Sequence, residues 1–199
     1  MSAEAENVDT GRRHFLVVAT TTVGLVGVGA TAVPFLASWR PSARARALGA
    51  PVEVDISKLE PGALLKIEWR GQAVYVVHRT AEMLATLAKL DGNLRDPQSL
   101  QSEQPAYAKN PARALKEEIL VLIGVCTHLG CAPIEKFQLA DAELGADWTG
   151  GFYCPCHGSK FDLAGRVFKG VPALSNLKVP PYRFISNDKL TIGADSGEA

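Results

Sequence analysis

CTHLGC at residues 126–131 and CPCHGS at residues 154–159 hold all four cysteines of the chain and two of its four histidines. Thiols and imidazoles gathered in this way offer three chemistries: a zinc site, a pair of disulfides, or an iron–sulfur centre. Spacing limits which side chains act together. His157 follows Cys156 directly, and adjacent residues seldom ligate one ion. Cys154 and His157, three apart, can both turn inward, and Cys126 and His128 lie on one side of a turn. Cys131 and Cys156 are left over, one in each box. In an oxidising compartment two such thiols are good disulfide partners, although four cysteines admit three pairings.

Outward from the boxes, the chain reads as short strands. ILVLIGV (119–125) is an apolar run leading straight into Cys126, and PVEVDI (51–56) alternates Val52, Val54 and Ile56 with Glu53 and Asp55. ALLKIEW (63–69) and QAVYVVH (72–78) flank Arg70-Gly71, which reads as a hairpin turn. Thr80 is placed to cap a short helix running to about Leu90, with Met83, Leu84 and Leu87 on one face. Residues 91–117 carry Pro97, Pro105 and Pro111 and read as loop. Beyond the second box, strands are expected near 160–162, 166–168, 182–185 and 189–192, with Asn187-Asp188 turning between the last two. There are no repeats. The pattern predicts an all-β class: a small antiparallel β domain over residues 51–199.

The first fifty residues differ from this. Phe15 to Trp39 contains no charged side chain. As a helix it would reach roughly 37 Å, enough to cross an apolar bilayer core about 30 Å thick with some tilt. Trp39 falls where an aromatic ring meets the headgroups. Ahead of the run stands GRRHFL (11–16), in which Arg12 and Arg13 followed by Phe-Leu resemble a twin-arginine export signal. Ala45-Arg46-Ala47 could pass for a cleavage site, but cleaved signals have apolar regions of about 7–15 residues, so the run reads as a retained single-pass anchor. Charge does not fix the orientation, because Arg40, Arg44 and Arg46 follow the span. The export motif assigns residues 1–14 to the cytoplasm, 15–39 to the membrane, 40–50 to a flexible linker, and the rest to the periplasm of a bacterial inner membrane. Basic and acidic residues balance at 21 each, which gives no basic excess of the kind that nucleic acid selects.

Taken together, the paired boxes, the twin-arginine anchor, the alanine-rich linker, WRGQAVYVVHRT (69–80) and NLKVPPY (176–182) resemble the Rieske iron–sulfur proteins. The likeness is closer still to the Rieske subunits of ubiquinol–cytochrome c reductase, the cytochrome bc1 complex, and covers nearly the whole chain. The resemblance implies a Rieske-type fold with a cluster-binding subdomain and a [2Fe-2S] cluster. Cys126 and Cys154 would hold one iron, His128 and His157 the other, and a Cys131–Cys156 disulfide would pin the two loops. Neutral imidazoles in place of two thiolates make an added electron easier to accept, which raises the potential to about −150 to +300 mV, against about −400 mV for plant-type ferredoxins. Ser159 would donate to a bridging sulfide. Phe161 stands where high-potential members usually have a tyrosine, so a lower potential is expected. Leu129 would dock into an apolar pocket of a partner, and Gly170-Val-Pro172-Ala173 is similar to the loop covering the cluster, with Leu174 where a second proline is usual.

The activity implied is that of a respiratory-chain translocase subunit. His157, with His128 nearby, would accept the hydrogen bond of ubiquinol, and the head would swing on its linker from cytochrome b to cytochrome c1 within a dimeric complex. The alternative is the Rieske small subunit of a periplasmic molybdenum oxidase, and the NLKVPPY segment, the linker and the WRG hairpin favour the first. Residues 132–153, with Glu135, Asp141, Glu143 and Asp147, read as a solvated insertion, and His14 and His78 have no ligand-like neighbours.

Overall fold

The computed structural model describes residues 9–194; residues 1–8 of the expected cytoplasmic segment and 195–199 lie outside the described residues. The chain divides into two compact units between Ala47 and Leu48.

In the first unit, α1 (Thr10–Ser38) starts five residues before the apolar run. Asp9 caps it, accepting from the N–H groups of Gly11 at 3.0 Å and Arg12 at 3.1 Å. No α1 residue is buried, and the helix is long and apolar enough to cross a membrane. Several of its hydroxyls are tied to the backbone: Thr20, Thr22 and Thr31 donate back to the carbonyls of Leu16, Val18 and Gly27. A polar group in hydrocarbon needs such a partner. The linker, read from sequence as flexible chain, is helical over α2 (Ala43–Gly49). Ser42 receives the Ala45 N–H on its hydroxyl and the Arg46 N–H on its carbonyl, and the alternating alanines and arginines that follow are strong helix formers.

Among the described residues, the second unit holds three three-stranded sheets, in the orders β1-β9-β8, β2-β3-β4 and β5-β6-β7. Every pairing is antiparallel. The strands are β1 (Val52–Asp55), β2 (Leu64–Trp69), β3 (Gln72–His78), β4 (Ile119–Ile123), β5 (Ile134–Lys136), β6 (Gly151–Cys154), β7 (Ser159–Phe161), β8 (Tyr182–Phe184) and β9 (Lys189–Ile192). Arg70 and Gly71, both at positive φ, form the two-residue hairpin between β2 and β3, and the Arg70 guanidinium lies over the Trp69 ring. Val74 to Val77 and all of β4 are buried, so these strands are covered on both faces and lack polar alternation. The core they build reaches from Ile192 in β9 to Cys126 and Cys154, so the boxes grow directly out of it.

Three further expectations differ from the structure. The Thr80-capped helix α3 (Ala81–Leu87) ends three residues early, where the chain tightens into i→i+3 bonds ending in a turn at Asp91–Asn93. Residues 166–168 form isolated bridges and no strand, because the Val167 N–H goes to the side chain of Asn176. Residues 132–153 are not merely a solvated insertion. They supply β5 and most of β6, bury Trp148 against Phe168, and hold Lys136 between Asp141 at 3.3 Å and Glu143 at 2.8 Å.

Three arginines, Arg79, Arg113 and Arg166, are fully buried around the chain that leaves the second box. Arg79 donates to the carbonyls of Glu117 and Leu163, Arg113 to that of Ala164, and Arg166 to the Asp162 carboxylate at 2.8 Å. Burial pulls Arg79 and Arg113 down to about 10, with Asp162 opposing the shift; both remain charged near neutrality.

Candidate metal centre

Each box is a turn at the end of a buried strand. β4 runs through Gly124 into the first box, and the β6–β7 hairpin carries the second. The two turns close alike. The Gly130 N–H donates to the Cys126 carbonyl at 3.0 Å, and the Gly158 N–H to the Cys154 carbonyl at 2.9 Å. Both glycines sit at positive φ, +85° and +75°, where a side chain would strain the backbone. A glycine four residues after the first cysteine of each box is therefore a requirement of the turn. The Cys126 N–H completes the first loop by donating to the Cys131 carbonyl at 2.7 Å.

These turns bring the predicted residues together. Cys131 and Cys156 form a disulfide, with Cα atoms 6.6 Å apart. Cys126 and Cys154 are free, buried and in contact with each other. The rings of His128 and His157 meet edge to face with centroids 4.8 Å apart, His128 half-buried and His157 exposed. Burial pushes the Cys126 thiol up. The neighbouring Cys154 pushes the same way, while the N–H of His128 and the Ser159 hydroxyl favour the thiolate. Such a thiol stays protonated until a cation takes the proton's place.

The donor set discriminates between one ion and two. A single zinc bound 2.0–2.3 Å from four ligands needs the ligand atoms within about 4 Å of one another. Among the described residues, the trio whose ligand atoms all lie within 4.8 Å of one another and could hold a single ion is Cys131, Cys154 and Cys156, not a set drawn from Cys126, Cys154, His128 and His157. Two sulfurs of that trio, those of Cys131 and Cys156, are already bonded together. Two thiols meeting in the interior and two imidazoles meeting towards solvent fit a binuclear group with a sulfur end and a nitrogen end.

Supporting residues fall around this pair. Ser159, fully buried, lies opposite Cys154 in register; its oxygen accepts the Ala173 N–H at 3.0 Å, and its hydroxyl favours the thiolate form of nearby Cys126. Phe161 is buried in the same core, paired with Phe152. Leu129 is 72% exposed and Leu174 is 67% exposed. Gly170 and Pro172 lie exposed in the third loop, and Arg12 and Arg13 are exposed in the first turn of α1, Arg12 paired with Asp9. His78 donates to or accepts at no metal-like partner; its Nδ1 lies 2.8 Å from the Leu59 carbonyl.

The sequence reading missed three ties. The Thr127 hydroxyl donates to the Ser175 carbonyl at 2.6 Å, joining the first box to the third loop. Asn176 holds that loop to Val167, Asp96 and Ser99. The Tyr75 hydroxyl donates to the Pro133 carbonyl at 2.8 Å. Thr127 stands between two ligand candidates, which was the one available signal; the others join residues far apart in sequence.

Comparison with known proteins adds the following. The family described as the Rieske [2Fe-2S] domain matches residues 52–181, and that described as the ubiquitinol-cytochrome C reductase Fe-S subunit TAT signal matches residues 2–42. A ubiquinol-cytochrome c reductase iron-sulfur subunit of Allochromatium vinosum is 57% identical over 98% of this chain and 94% of its own length. One from Blastochloris viridis is 42% identical over 96% of this chain and 98% of its own. Among solved structures, a chain of a hyperthermophilic respiratory Complex III aligns over 87% of this chain and 98% of its own, at 25% identity and a TM-score of 0.47.

Proposed function

The chain belongs to the Rieske iron–sulfur subunits of ubiquinol–cytochrome c reductase, and from that premise we propose how its residues carry one electron from a quinol to a cytochrome. The single observation behind this reading is the split donor set: paired buried thiols behind, paired imidazoles in front. Cys126 and Cys154 would hold one iron of a [2Fe-2S] cluster, and His128 and His157 the other. When bound, the cluster supplies a one-electron acceptor of about −150 to +300 mV.

The chain's own groups do the rest. His157, exposed, would present to the quinol hydroxyl the ring nitrogen not used for iron; once deprotonated, as the charge of a bound ferric ion favours, that nitrogen would accept the hydrogen bond and take the proton while the electron passes to the cluster. His128 flanks it. Leu129 and Leu174 are exposed apolar side chains on the loops at the site, which suits insertion into a water-poor pocket of cytochrome b. The Ser159 hydroxyl and the disulfide keep the inner ligands fixed while the outer face engages and releases its partner. The α1 helix anchors the protein in the bacterial inner membrane with the β domain on the periplasmic side. Residues 40–50 let the head alternate between cytochrome b and cytochrome c1 in a dimeric assembly. The relatives favour this over a molybdenum-oxidase subunit.

The test is a redox titration of the detergent-solubilised protein followed by electron paramagnetic resonance, with the co-purifying haems recorded. A rhombic Rieske signal accompanied by b- and c-type haems is expected. Absence of iron and acid-labile sulfide, or co-purification with a molybdenum subunit, would overturn the reading.

A further inference from the structure

Tyr75 lies in the middle of β3, buried, on a strand that carries no cluster ligand. It nevertheless touches the stems of both boxes. Its hydroxyl donates to the carbonyl of Pro133, two residues beyond Cys131. Its ring stacks on Phe152, two residues before Cys154, with centroids 5.9 Å apart and planes 20° apart. The same ring lies against Gly124, two residues before Cys126, so closely that a Cβ there would collide with it. Gly124 is thus a glycine because of Tyr75. On the outer side, Lys66 lies over the ring at 5.7 Å and pairs with Glu135 in β5, which closes the group.

We infer that Tyr75 is a positioning residue for the metal centre, a buried post that fixes the exit of the first box to the entrances of both boxes and so keeps the disulfide and the ligand pair in register. The inference rests on the Rieske reading for its cluster readout, though not for its disulfide readout. Pro133 is buried, and its carbonyl is where the first box rejoins β5. Without the hydroxyl, that carbonyl loses its partner in the closed state only, since water reaches it once the loop opens. Closure is therefore weakened selectively. The hydroxyl itself is held neutral, its acidity suppressed by burial, and remains a donor across the ordinary range.

The test uses the full-length holoprotein and Tyr75→Phe, with Ile192→Val as the control. Ile192 is buried in β9, in a different sheet, and lowers global stability without touching either box. Two quantities are read: the rate at which excess dithiothreitol reduces Cys131–Cys156, and the widths of the g-lines of the reduced cluster. For Tyr75→Phe, reduction about five- to thirtyfold faster is expected, the factor carried by one lost buried hydrogen bond. Broadened g-lines, from a spread of ligand geometries, should accompany it. Ile192→Val should leave both near the parent values. A Tyr75→Phe protein that matches the parent in both, or that speeds reduction no more than Ile192→Val at equal melting temperature, overturns the inference. Should Tyr75→Phe accumulate without cluster, the disulfide rate and the deuterium exchange of residues 132–136 still decide it. Unchanged exchange there refutes the post, and faster exchange confined there supports it. Loss of the Rieske signal in the parent itself would instead strike the functional reading and leave the disulfide result standing.

Discussion

Replacing Ser159 by alanine separates two functions of one oxygen. Ser159 is fully buried in β7, opposite Cys154. Its oxygen accepts the N–H of Ala173, also fully buried, at 3.0 Å, and its hydroxyl lies near the Cys126 thiol and favours the thiolate. Ser159→Ala therefore has two consequences. The Ala173 N–H loses its acceptor away from water, which destabilises the fold by about 1–3 kcal/mol. A ligand sulfur also loses a donor. The added electron makes that sulfur a more negative acceptor, and bonds to charged groups are about twice as strong as neutral ones, so the bond favours the reduced centre by about 1 kcal/mol. At 59 mV per tenfold change for one electron, that difference is roughly 40 mV.

The assay is a potentiometric titration of parent, Ser159→Ala and Ser159→Thr, each followed by electron paramagnetic resonance, alongside urea unfolding of the same samples. Ser159→Ala should fall by roughly 40 mV per kcal/mol of lost differential bonding and should also unfold earlier. Ser159→Thr keeps the hydroxyl, so its potential should stay close to the parent's even where the extra methyl lowers stability. A Ser159→Ala potential indistinguishable from the parent's, in a protein that is measurably less stable, would refute the reasoning: the hydroxyl would then brace the third loop and leave the metal's electronics alone.

Other consequences can be measured on the same preparation. Removing the disulfide with Cys131→Ser and Cys156→Ser opens a crosslink of 25-residue separation, which should lower stability by about 3.5 kcal/mol in equilibrium urea unfolding and speed iron release. Phe161→Tyr, at a fully buried position paired with Phe152, should raise the midpoint potential by supplying a second hydroxyl donor near the cysteine sulfurs; an unchanged potential would show that the hydroxyl does not reach them. Pro41→Ala with Ser42→Ala, which removes the break between α1 and α2, should fuse the two helices into a stiffer rod and slow quinol–cytochrome c turnover; full turnover would count against a swinging head.

What the sequence made legible was whatever is encoded locally. The apolar anchor, the β2–β3 hairpin at Arg70-Gly71 and the Thr80 cap each need only a few neighbouring residues, and each is present. The boxes were legible because thiols and imidazoles have few other uses at such density. Less visible were elements whose signal is weak or whose partner is distant. The α2 helix carries no apolar stripe and so read as a spacer, though its alanines favour a helix. Val167 read as strand because nothing local announces that Asn176 will take its N–H. Tyr75 and Pro133 are 58 residues apart, and Thr127 and Ser175 are 48 apart; such ties exist only once the sheets have formed.

Those distant ties explain how two turns separated by a whole β-strand segment can act as one site. A turn closed only by its own glycine N–H would move independently of the other. Here the second box reaches the first through the disulfide and through Ser159 to Cys126, and both reach the third loop, through Ser159 to Ala173 and Thr127 to Ser175. Below them, Tyr75 joins the stems, and the buried arginines clamp the chain leaving β7. Stiffness has a chemical consequence. Donors held in place before an electron arrives need not reorganise when it does, so the field at the sulfurs is set by the fold. The imidazole face, half-buried at His128 and open at His157, is left free to meet a partner. A binding event there can then change the proton and electron content of the site without rebuilding its interior.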